Sequence, residues 1–369
     1  MNAAPMSQRP PASIGQRLEE VDTPALVLDL DAFERNLDAL ARAVAGKVRV
    51  RAHAKTHKSP DIARLQIAAG AVGVCCQKVS EAEALVEGGV QDVLVSNEIV
   101  GAPKIARLAA LSRRAHLGVC VDNLENLREI AASGARLDVY IELEVGMGRC
   151  GIAPGEPALA LAREIAKAPG LRFGGLQAYH GRAQHMRTMA ERRAHIARAA
   201  EAVNATKALF KRNGIDTPIV TGAGSGTFMF EVESGAWDEI QPGSYVFMDV
   251  DYARNEWAAP LPRFEHALFV LATVMSRPSP HAAIVDAGLK ASSVDSGMPS
   301  VWGKEVLKFT KASDEHGFIE GPNPPALGEK LFLVPGHCDP TVNLYDWYVC
   351  VRRGVVEALW PITARGAVT

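Results

Sequence analysis

The chain has 369 residues, with 40 Lys and Arg side chains against 42 Asp and Glu side chains, and a formal net charge of −2 at pH 7. Because the net charge is slightly negative and no cluster of basic residues stands out, we do not expect nucleic acid or anionic membrane surfaces as partners. The length exceeds what one hydrophobic core usually covers, so we expect a large domain followed by a smaller one.

The sequence also predicts a compartment. The apolar runs are far shorter than the ~20 residues that a membrane helix needs. The first residues, MNAAPMSQRPP, lack the apolar region of a signal peptide. Six cysteines, two of them adjacent at Cys75 and Cys76, do not make a disulfide framework in a chain of this length. We therefore expect a protein of the reducing cytoplasm.

From about Val48 to Met248, short β-branched runs alternate with helix-like segments such as 80–87, 102–111 and 187–213. The predicted strands are 48–54, 72–76, 93–96, 117–122, 139–145, 173–179, 218–221 and 244–248. Such alternation implies parallel strands joined by right-handed crossovers. Eight units favour an α/β fold with a closed (β/α)8 TIM-like barrel. An open doubly wound sheet is the alternative, but no GxGxxG motif follows the first strand to support it.

After residue 260 the pattern changes to strands without strong helices, which predicts a mostly antiparallel β domain. The strand-like segments are 266–275, 281–286, 331–335, 347–352 and 355–359, the last two joined by a turn at Arg353-Gly354. We expect a flexible tail over 1–20, the barrel over 21–258 and the β domain over 259–369. The strand-like segment 25–28 can pair with either domain.

The first candidate site is the run from Arg51 to Lys58, RAHAKTHK, at the end of the first predicted barrel strand. Barrel enzymes place catalytic groups at such strand ends. A lysine here is either part of a solvated basic rim or, if it points into the barrel mouth, an amine able to form a Schiff base. Desolvation and a neighbouring cation would lower its pKa for that role. Lys55 shares a strand face with His53 and Arg51.

Two glycine-rich segments follow predicted barrel strands. GMGRCG (146–151) places Arg149 where a barrel carries catalytic groups, although a glycine-rich turn needs no ligand. TGAGSGT (221–227) follows the seventh strand, and its successive backbone N–H groups form either an anion-binding nest or a tight turn. Barrels often bind phosphate near strands seven and eight.

The β domain contains His337 and Asp339 within PGHCDP. Residues two apart on an extended segment project from the same face, and imidazole with carboxylate suits Mn²⁺, Mg²⁺, Zn²⁺ or Co²⁺. Two protein ligands completed by water would make an open, catalytic metal site. The alternative is an H-x-D pair that occurs by chance. Cys338 is predicted to point the other way and to be buried and inert.

Together these segments resemble the D-threonine aldolase family, which is close to the 3-hydroxy-D-aspartate aldolases. The resemblance runs from about Val21 to Gly366 and depends on the ordered set VDTP, AKTHK, VCCQKVSEAE, GRCG, LQAYHG, TGAGSG, DEHG and PGHCDP. It implies an alanine-racemase-like enzyme with pyridoxal 5′-phosphate (PLP) on a barrel that a β domain follows. Such enzymes are commonly homodimers.

The resemblance also implies roles for individual residues. Lys55 is the Schiff-base lysine, and Arg149 lies beside the PLP phenolic oxygen. Gly224, Ser225 and Gly226, with the backbone nearby at Thr221, would hold the phosphate, and Gln241 falls where alanine racemases carry an arginine on the pyridine nitrogen. Tyr179, at the end of the sixth predicted strand, either flanks the cofactor or serves in packing and loop capping. His337 and Asp339 match the metal ligands, and Asp314 lies near the metal or substrate. D-serine dehydratases of this fold have Cys in place of Asp339, so the carboxylate favours Mn²⁺ or Mg²⁺.

The implied reaction is retro-aldol cleavage of a small D-β-hydroxy-α-amino acid of the D-threonine type to glycine and an aldehyde. The metal would lower the pKa of the substrate hydroxyl, a base such as His57 or a metal-bound hydroxide would take its proton, and PLP would serve as the electron sink. The alternatives are a 3-hydroxy-D-aspartate aldolase that yields glyoxylate, a D-serine or 3-hydroxyaspartate dehydratase, and a non-catalytic PLP carrier. An aspartate-like substrate would need a further cation, from Arg182, Arg187 or Arg254.

Overall fold

The computed structural model describes residues 9–259 and 261–369. Eight parallel strands among them close into a barrel, in which β2 pairs with both β3 and β9. These strands are β2 (Arg49–His53), β3 (Gly73–Cys76), β4 (Asp92–Glu98), β5 (His116–Val121), β6 (Leu137–Glu142), β7 (Leu171–Ala178), β8 (Val220–Gly222) and β9 (Glu239–Ile240). The predicted α/β barrel is therefore confirmed.

The remaining strands form a nine-stranded sheet in the described part of the chain, in the order β11-β14-β13-β12-β15-β10-β1-β16-β17. They are β1 (Ala25–Asp29), β10 (Leu268–Ser279), β11 (Ala282–Val285), β12 (Ser300–Val301), β13 (Lys308–Ala312), β14 (Gly317–Glu320), β15 (Lys330–Val334), β16 (Trp347–Arg352) and β17 (Val355–Pro361). All neighbours are antiparallel except β1 and β16. Strand β1, which the sequence left open to either domain, belongs to this sheet.

The helices lie mostly between barrel strands. They are α1 (Leu30–Val44), α2 (Pro60–Ala68), α3 (Val79–Glu87), α4 (Ala102–Leu111), α5 (Leu124–Ala132), α6 (Glu156–Ile165), α7 (Met189–Arg212), α8 (Phe228–Ser234), α9 (Val250–Ala253) and α10 (Cys338–Val342). Helix α1 begins where Asp29 accepts a hydrogen bond from Ala32 N, and buries an apolar face at helical spacing. No helix in the described residues is both long and apolar enough to cross a membrane.

One barrel strand differs from the prediction. The segment 244–248, predicted as the eighth strand, contains a 3-10 helix at Ser244–Val246, and the barrel closes instead through Glu239–Ile240. The apolar side chains of 245–248 are buried, but they pack into the core shared with the β domain. A short apolar run looks the same in both settings, so periodicity alone cannot separate them.

The β domain contains three strands that the sequence analysis did not predict, β12, β13 and β14. They are short, and the burial in β13 alternates around charged residues, as expected of a strand with one solvated face.

Part of the predicted tail over 1–20 lies outside the described residues. Within the rest, Gly15 N donates to Val356 O, Leu18 N donates to Gly354 O, and a 3-10 helix spans Leu18–Glu20. These backbone hydrogen bonds hold the segment around Gly15 and Leu18 against the β16–β17 hairpin. Composition alone does not predict such bonds.

Candidate active site

At the barrel mouth, one side chain from each domain forms a pair. Lys55 follows β2 at the barrel mouth, and Asp339 lies in the first turn of α10, directly after a β-domain strand. The Lys55 Nζ atom lies 3.5 Å from Asp339 Oδ2, and the lysine side chain remains 41% exposed. An amine from the barrel and a carboxylate from the β domain can therefore contact the same small molecule.

Lys58, three residues further on, is engaged differently. Its ammonium group forms a buried ion pair with Glu81, whose other oxygen accepts hydrogen bonds from the backbone N–H groups of Gln77 and Lys78. A buried, paired ammonium is costly to separate from its partner. Of the two lysines in this run, Lys55 is the one available to a ligand.

The sequence analysis expected a lowered pKa for Lys55, and this expectation is wrong for the structure described. Burial lowers the pKa of the amine, but the Asp339 carboxylate and the Tyr179 phenol together raise it above its ordinary value. The sequence prediction failed because Asp339 belongs to the second domain, and spacing in the sequence could not place its carboxylate beside the Lys55 amine.

His337 and Asp339 face one another as a candidate metal pair. His337 Nε2 lies 4.0 Å from Asp339 Oδ1, and that oxygen is buried without a hydrogen-bond partner in the described chain. An acceptor left unpaired beside an imidazole nitrogen fits a cation. The other ring nitrogen, Nδ1, lies 2.8 Å from Asp295 Oδ2. A carboxylate in this position fixes ring orientation in metal sites.

Burial and the neighbouring charges shift the pKa values of His337 and Asp339 in opposite directions. Burial lowers the pKa of His337, but Asp339 and Asp295 together raise it above its ordinary value. Burial raises the pKa of Asp339, but Lys55 and His337 hold it below its ordinary value. Cys338 is fully buried as predicted, and its backbone N–H donates to Asp249 Oδ2 at 3.1 Å, which anchors the start of α10.

The turn after β8 has the features of an anion nest. Ala223 has a φ of 66°, and residues 221–227 are almost completely buried. The N–H groups of Gly224 and Ser225 donate to no group in the described residues, whereas Gly226 N donates to Gln184 Oε1 at 2.9 Å. Successive unpaired donors of this kind suit a phosphate. A Cβ on Gly224 would lie 2.5 Å from Gln184 Oε1, so a side chain there would displace Gln184.

Gln241 and Thr221 lie in a buried polar network on the inner face of the barrel. Gln241 Nε2 donates to Gln177 Oε1 and to Thr221 Oγ1, both at 2.8 Å, and Thr221 Oγ1 donates to Glu239 Oε1 at 2.9 Å. Both amide hydrogens of Gln241 are used within the protein. Its Oε1 also accepts a hydrogen bond from Gln177 Nε2 at 3.1 Å, so Gln241 has no free donor for a pyridine nitrogen.

Arg149 and Tyr179 lie on the same side of the mouth. The Arg149 guanidinium carbon lies 5.9 Å from the centre of the Tyr179 ring, and Nη2 lies 3.7 Å from Glu142 Oε1. Both residues are close enough to Lys55 to act on its pKa, since the Tyr179 phenol raises it and Arg149 lowers it. The structure thus brings Lys55, Arg149, Tyr179, His337 and Asp339 together.

Two predicted residues are not brought into this group. His57 is fully buried, and Ser59 N donates to its Nδ1 at 3.2 Å while its Nε2 lies 3.1 Å from Gln66 Oε1. With both nitrogens occupied, and with burial lowering its pKa to about 4, the ring has no lone pair free for a substrate proton. Asp314 is exposed in the turn between β13 and β14, where its carbonyl oxygen accepts from Lys290 N.

The sequence analysis did not identify three carboxylates that organise the site, Asp295, Asp249 and Glu142. Asp295 lies 42 residues from His337 in the sequence and in a polar SVDSG segment, so no spacing links the two. Glu142 is the last residue of β6, and its position at a barrel strand end was an available signal.

Known proteins match this chain across both domains. The alanine racemase N-terminal domain model matches residues 28–251, and a putative serine dehydratase domain model matches residues 267–351. A D-threonine aldolase from Arthrobacter sp. is 50% identical over 97% of this chain and 96% of its own length. A 3-hydroxy-D-aspartate aldolase from Paracoccus denitrificans (strain Pd 1222) is 47% identical over 96% of this chain and 95% of its own length.

Among solved structures, that of D-threonine aldolase from Filomicrobium marinum matches with a TM-score of 0.96 at 50% identity. It covers 97% of this chain and all of that one. The matches span both domains, including the strand end at Lys55 and the pair at His337 and Asp339. The chain therefore belongs to the D-threonine aldolase family of carbon–carbon lyases, which is built on the alanine-racemase-type barrel.

Proposed function

We propose that this protein is a PLP- and divalent-metal-dependent aldolase that cleaves D-β-hydroxy-α-amino acids of the D-threonine type to glycine and an aldehyde. The contact between Lys55 Nζ and Asp339 Oδ2, at 3.5 Å, carries the proposal. It puts an amine able to bond a carbonyl cofactor and a carboxylate able to ligate a metal within the span of one amino acid.

The residues present fit PLP. Lys55 offers a partly exposed amine, Gly224 and Ser225 offer unpaired N–H groups for the phosphate, and Arg149 offers a cation near the amine. When bound, PLP supplies the electron sink that accepts the electrons of a broken bond at Cα. The turn at Gly224 and the guanidinium of Arg149 would fix the plane of the ring, so that the bond to be broken can stand perpendicular to it.

The residues also fit a divalent cation between His337 and Asp339, because Asp339 Oδ1 is buried without a donor and Asp295 orients the imidazole. The cation would supply Lewis-acid stabilisation of charge that develops on the substrate oxygen. A carboxylate and an imidazole favour Mn²⁺ or Mg²⁺ over thiophilic ions. Because both nitrogens of His57 are occupied, this ring is not assigned as the acceptor of the hydroxyl proton.

The product assay tests this proposal. Purified enzyme supplied with PLP and Mn²⁺ should release glycine from D-threonine and from D-phenylserine, together with acetaldehyde and benzaldehyde respectively. Release of a keto acid and ammonia would instead show a dehydratase and would contradict the aldolase assignment. Absence of turnover with stoichiometric PLP binding would show a carrier.

A second candidate substrate, 3-hydroxy-D-aspartate, is favoured by the nearly equal identity to an aldolase of that name. Its extra carboxylate needs a cation, and Arg187 is already bound to the Asp251 carboxylate and to Asn255. Arg254 is more suitable. A Cβ on Gly297 would lie 3.4 Å from its Nη2, which places the guanidinium against the loop that carries Asp295. Arg254→Gln should therefore lower kcat/KM for 3-hydroxy-D-aspartate more than for D-threonine.

We also propose that the active protein is a homodimer in the cytoplasm, as the sequence resemblance implies. Light scattering coupled to size-exclusion chromatography measures the mass of the particle and so tests the homodimer. A mass equal to one chain would contradict the dimer.

A further inference from the structure

The phosphate turn, residues 224–227 after β8, contacts one fully buried glutamine. Gln184 lies in the 3-10 helix Gly181–His185 that follows β7. Its Oε1 accepts a hydrogen bond from Gly226 N at 2.9 Å, and its Nε2 donates to Thr227 Oγ1 at 2.7 Å. The same Nε2 lies 3.3 Å from the carbonyl oxygen of His180, to which it also donates. This single amide therefore joins the turn after β8 to the loop after β7.

The partners of Gln184 fix the orientation of its amide. A backbone N–H can only donate, so the amide atom that faces Gly226 N must be the oxygen. The amide nitrogen then faces Thr227, whose hydroxyl accepts from it and has its own proton free to donate elsewhere. A rotated amide would bring two donors together at Gly226 and would leave the Thr227 hydroxyl without this donor.

The chain of hydrogen bonds ends at a buried carboxyl group. Thr227 Oγ1 donates to Glu231 Oε1 at 2.7 Å, and Oε2 of the same group is buried without a partner in the described residues. Burial raises the pKa of Glu231 to about 8, so the group is mostly neutral near pH 7. A neutral acid gives the Thr227 proton an acceptor without placing a full negative charge behind a bound phosphate.

The backbone of Gln184 is held as well as its side chain. Its carbonyl oxygen accepts a hydrogen bond from Asn255 Nδ2 at 2.8 Å, and Asn255 Oδ1 accepts one from Arg187 Nη1 at 2.8 Å. A Cβ on Gly226 would lie 2.3 Å from the Gln184 carbonyl oxygen, so the turn can approach this closely only with glycine at that position. Both the main chain and the side chain of Gln184 thus fit the turn.

We propose that Gln184 is a positioning residue for the cofactor phosphate. By accepting the hydrogen bond from Gly226 N, it holds the turn in the conformation that leaves the N–H groups of Gly224 and Ser225 without acceptors in the described residues. The phosphate then has these two backbone donors, and Gly226 N, which the sequence motif also implied, is not available to it. The inference deepens the proposed function and rests on it, since the phosphate is that of PLP.

The affinity for PLP, compared with that for pyridoxal, which lacks the phosphate, isolates this role. Both compounds can bond the Lys55 amine, so the visible absorbance of the lysine-bound form can be titrated with each on the whole chain, freed of its cofactor. Gln184→Leu should weaken PLP binding about tenfold or more and change pyridoxal binding less than about twofold, because only the phosphate donors lose their support. An equal loss for both compounds, or no loss for either, would overturn the positioning role.

Thr227→Val tests the amide orientation without changing Gln184. Valine has nearly the shape of threonine but offers no oxygen to Gln184 Nε2, so PLP binding should weaken about threefold or more while pyridoxal binding stays the same. Thr227→Ser returns the hydroxyl and should restore the preference for PLP. Equal preferences in the two variants would contradict the hydrogen-bonded chain. Because valine keeps the shape, this pair decides the question even where Gln184→Leu does not fold.

Asn36→Leu is the matched control, because Asn36 is another buried amide that bridges two segments. Its Oδ1 accepts from Glu265 N at 2.7 Å, and its Nδ2 donates to Val246 O at 3.2 Å. Its loss should lower the free energy of unfolding but leave the preference for PLP over pyridoxal unchanged. A reduced preference in Asn36→Leu would overturn the specific role of Gln184. A wild type without visible absorbance of a lysine-bound form with either compound would contradict the proposed function itself.

Discussion

The two ends of the barrel use charged residues in opposite ways. At the end where the strands begin, Arg51 bonds both Glu239 and Asp92, and His116 bridges Asp92 and Asp138 at 3.0 and 2.9 Å. At the end where the strands finish, Lys55 is partly exposed, Asp339 Oδ1 has no partner in the described chain, and Glu98 lacks donors. Charges that satisfy one another stabilise a fold, whereas charges left unsatisfied are available to ligands.

The largest expected effect comes from removing the amine at the ligand end. Lys55→Ala should abolish the lysine-bound cofactor absorbance and reduce cleavage by at least about 10³-fold, because no other group there can form the bond to the cofactor. Its thermal stability should stay close to that of the wild type, since the side chain is 41% exposed. Absorbance spectra and steady-state kinetics measure these outcomes.

Lys58→Met is the matched control, three residues away. It should retain the cofactor absorbance but lose about 3–5 kcal/mol of stability, because Glu81 would be left buried and unpaired. If Lys58→Met and not Lys55→Ala lost the absorbance, the assignment of the lysine would be wrong by three residues.

Metal removal tests the role of the candidate metal pair, His337 and Asp339. Exhaustive chelation should lower cleavage on the order of 10²-fold or more and leave the cofactor absorbance intact, because the cation acts on charge at the substrate oxygen and not on the amine. Added Mn²⁺ should restore activity. Asp339→Asn should weaken this rescue, whereas full activity after chelation would exclude a metal from the reaction.

At the opposite end, substitution should affect stability more than catalysis. Arg51→Met removes a buried cation and leaves Glu239 and Asp92 without it, which should cost about 3–5 kcal/mol in denaturant titrations. Arg35→Met breaks the exposed pair with Glu265 and should cost less than about 1 kcal/mol. Equal costs for the two variants would contradict the structural role of the Arg51 network.

The same contrast explains what sequence could and could not predict. Strand–helix alternation identified the barrel. The ordered motifs predicted Lys55, Arg149 and the pair at residues 337 and 339, and the structure brings these side chains together. The sequence did not show that Gln66, on the following helix, would lie against a nitrogen of His57, the predicted base. Asp295 was missed because its partner, His337, lies 42 residues away in the sequence, and only the closed fold brings the two side chains together.

The smallest expected effect is on the pH dependence of stability, at the end of the barrel where the strands begin. Hydrogen bonds that the protonated His116 ring donates to the Asp92 and Asp138 carboxylates raise its pKa above the ordinary value of 6.5. The protonated ring therefore stabilises the fold below about pH 6.5, and this contribution is lost as pH rises through the raised folded-state pKa. The side chain is 51% exposed, so screening should keep the contribution below about 1 kcal/mol.

His116→Gln should remove this slope from a plot of unfolding free energy against pH while leaving kcat/KM unchanged, because the ring lies at the end of the barrel opposite Lys55. His116→Gln in the Lys58→Met background should lower stability additively, since separate networks that share no partner do not couple. A change in cofactor absorbance on His116→Gln would show that the two ends communicate, and would break the distinction between them.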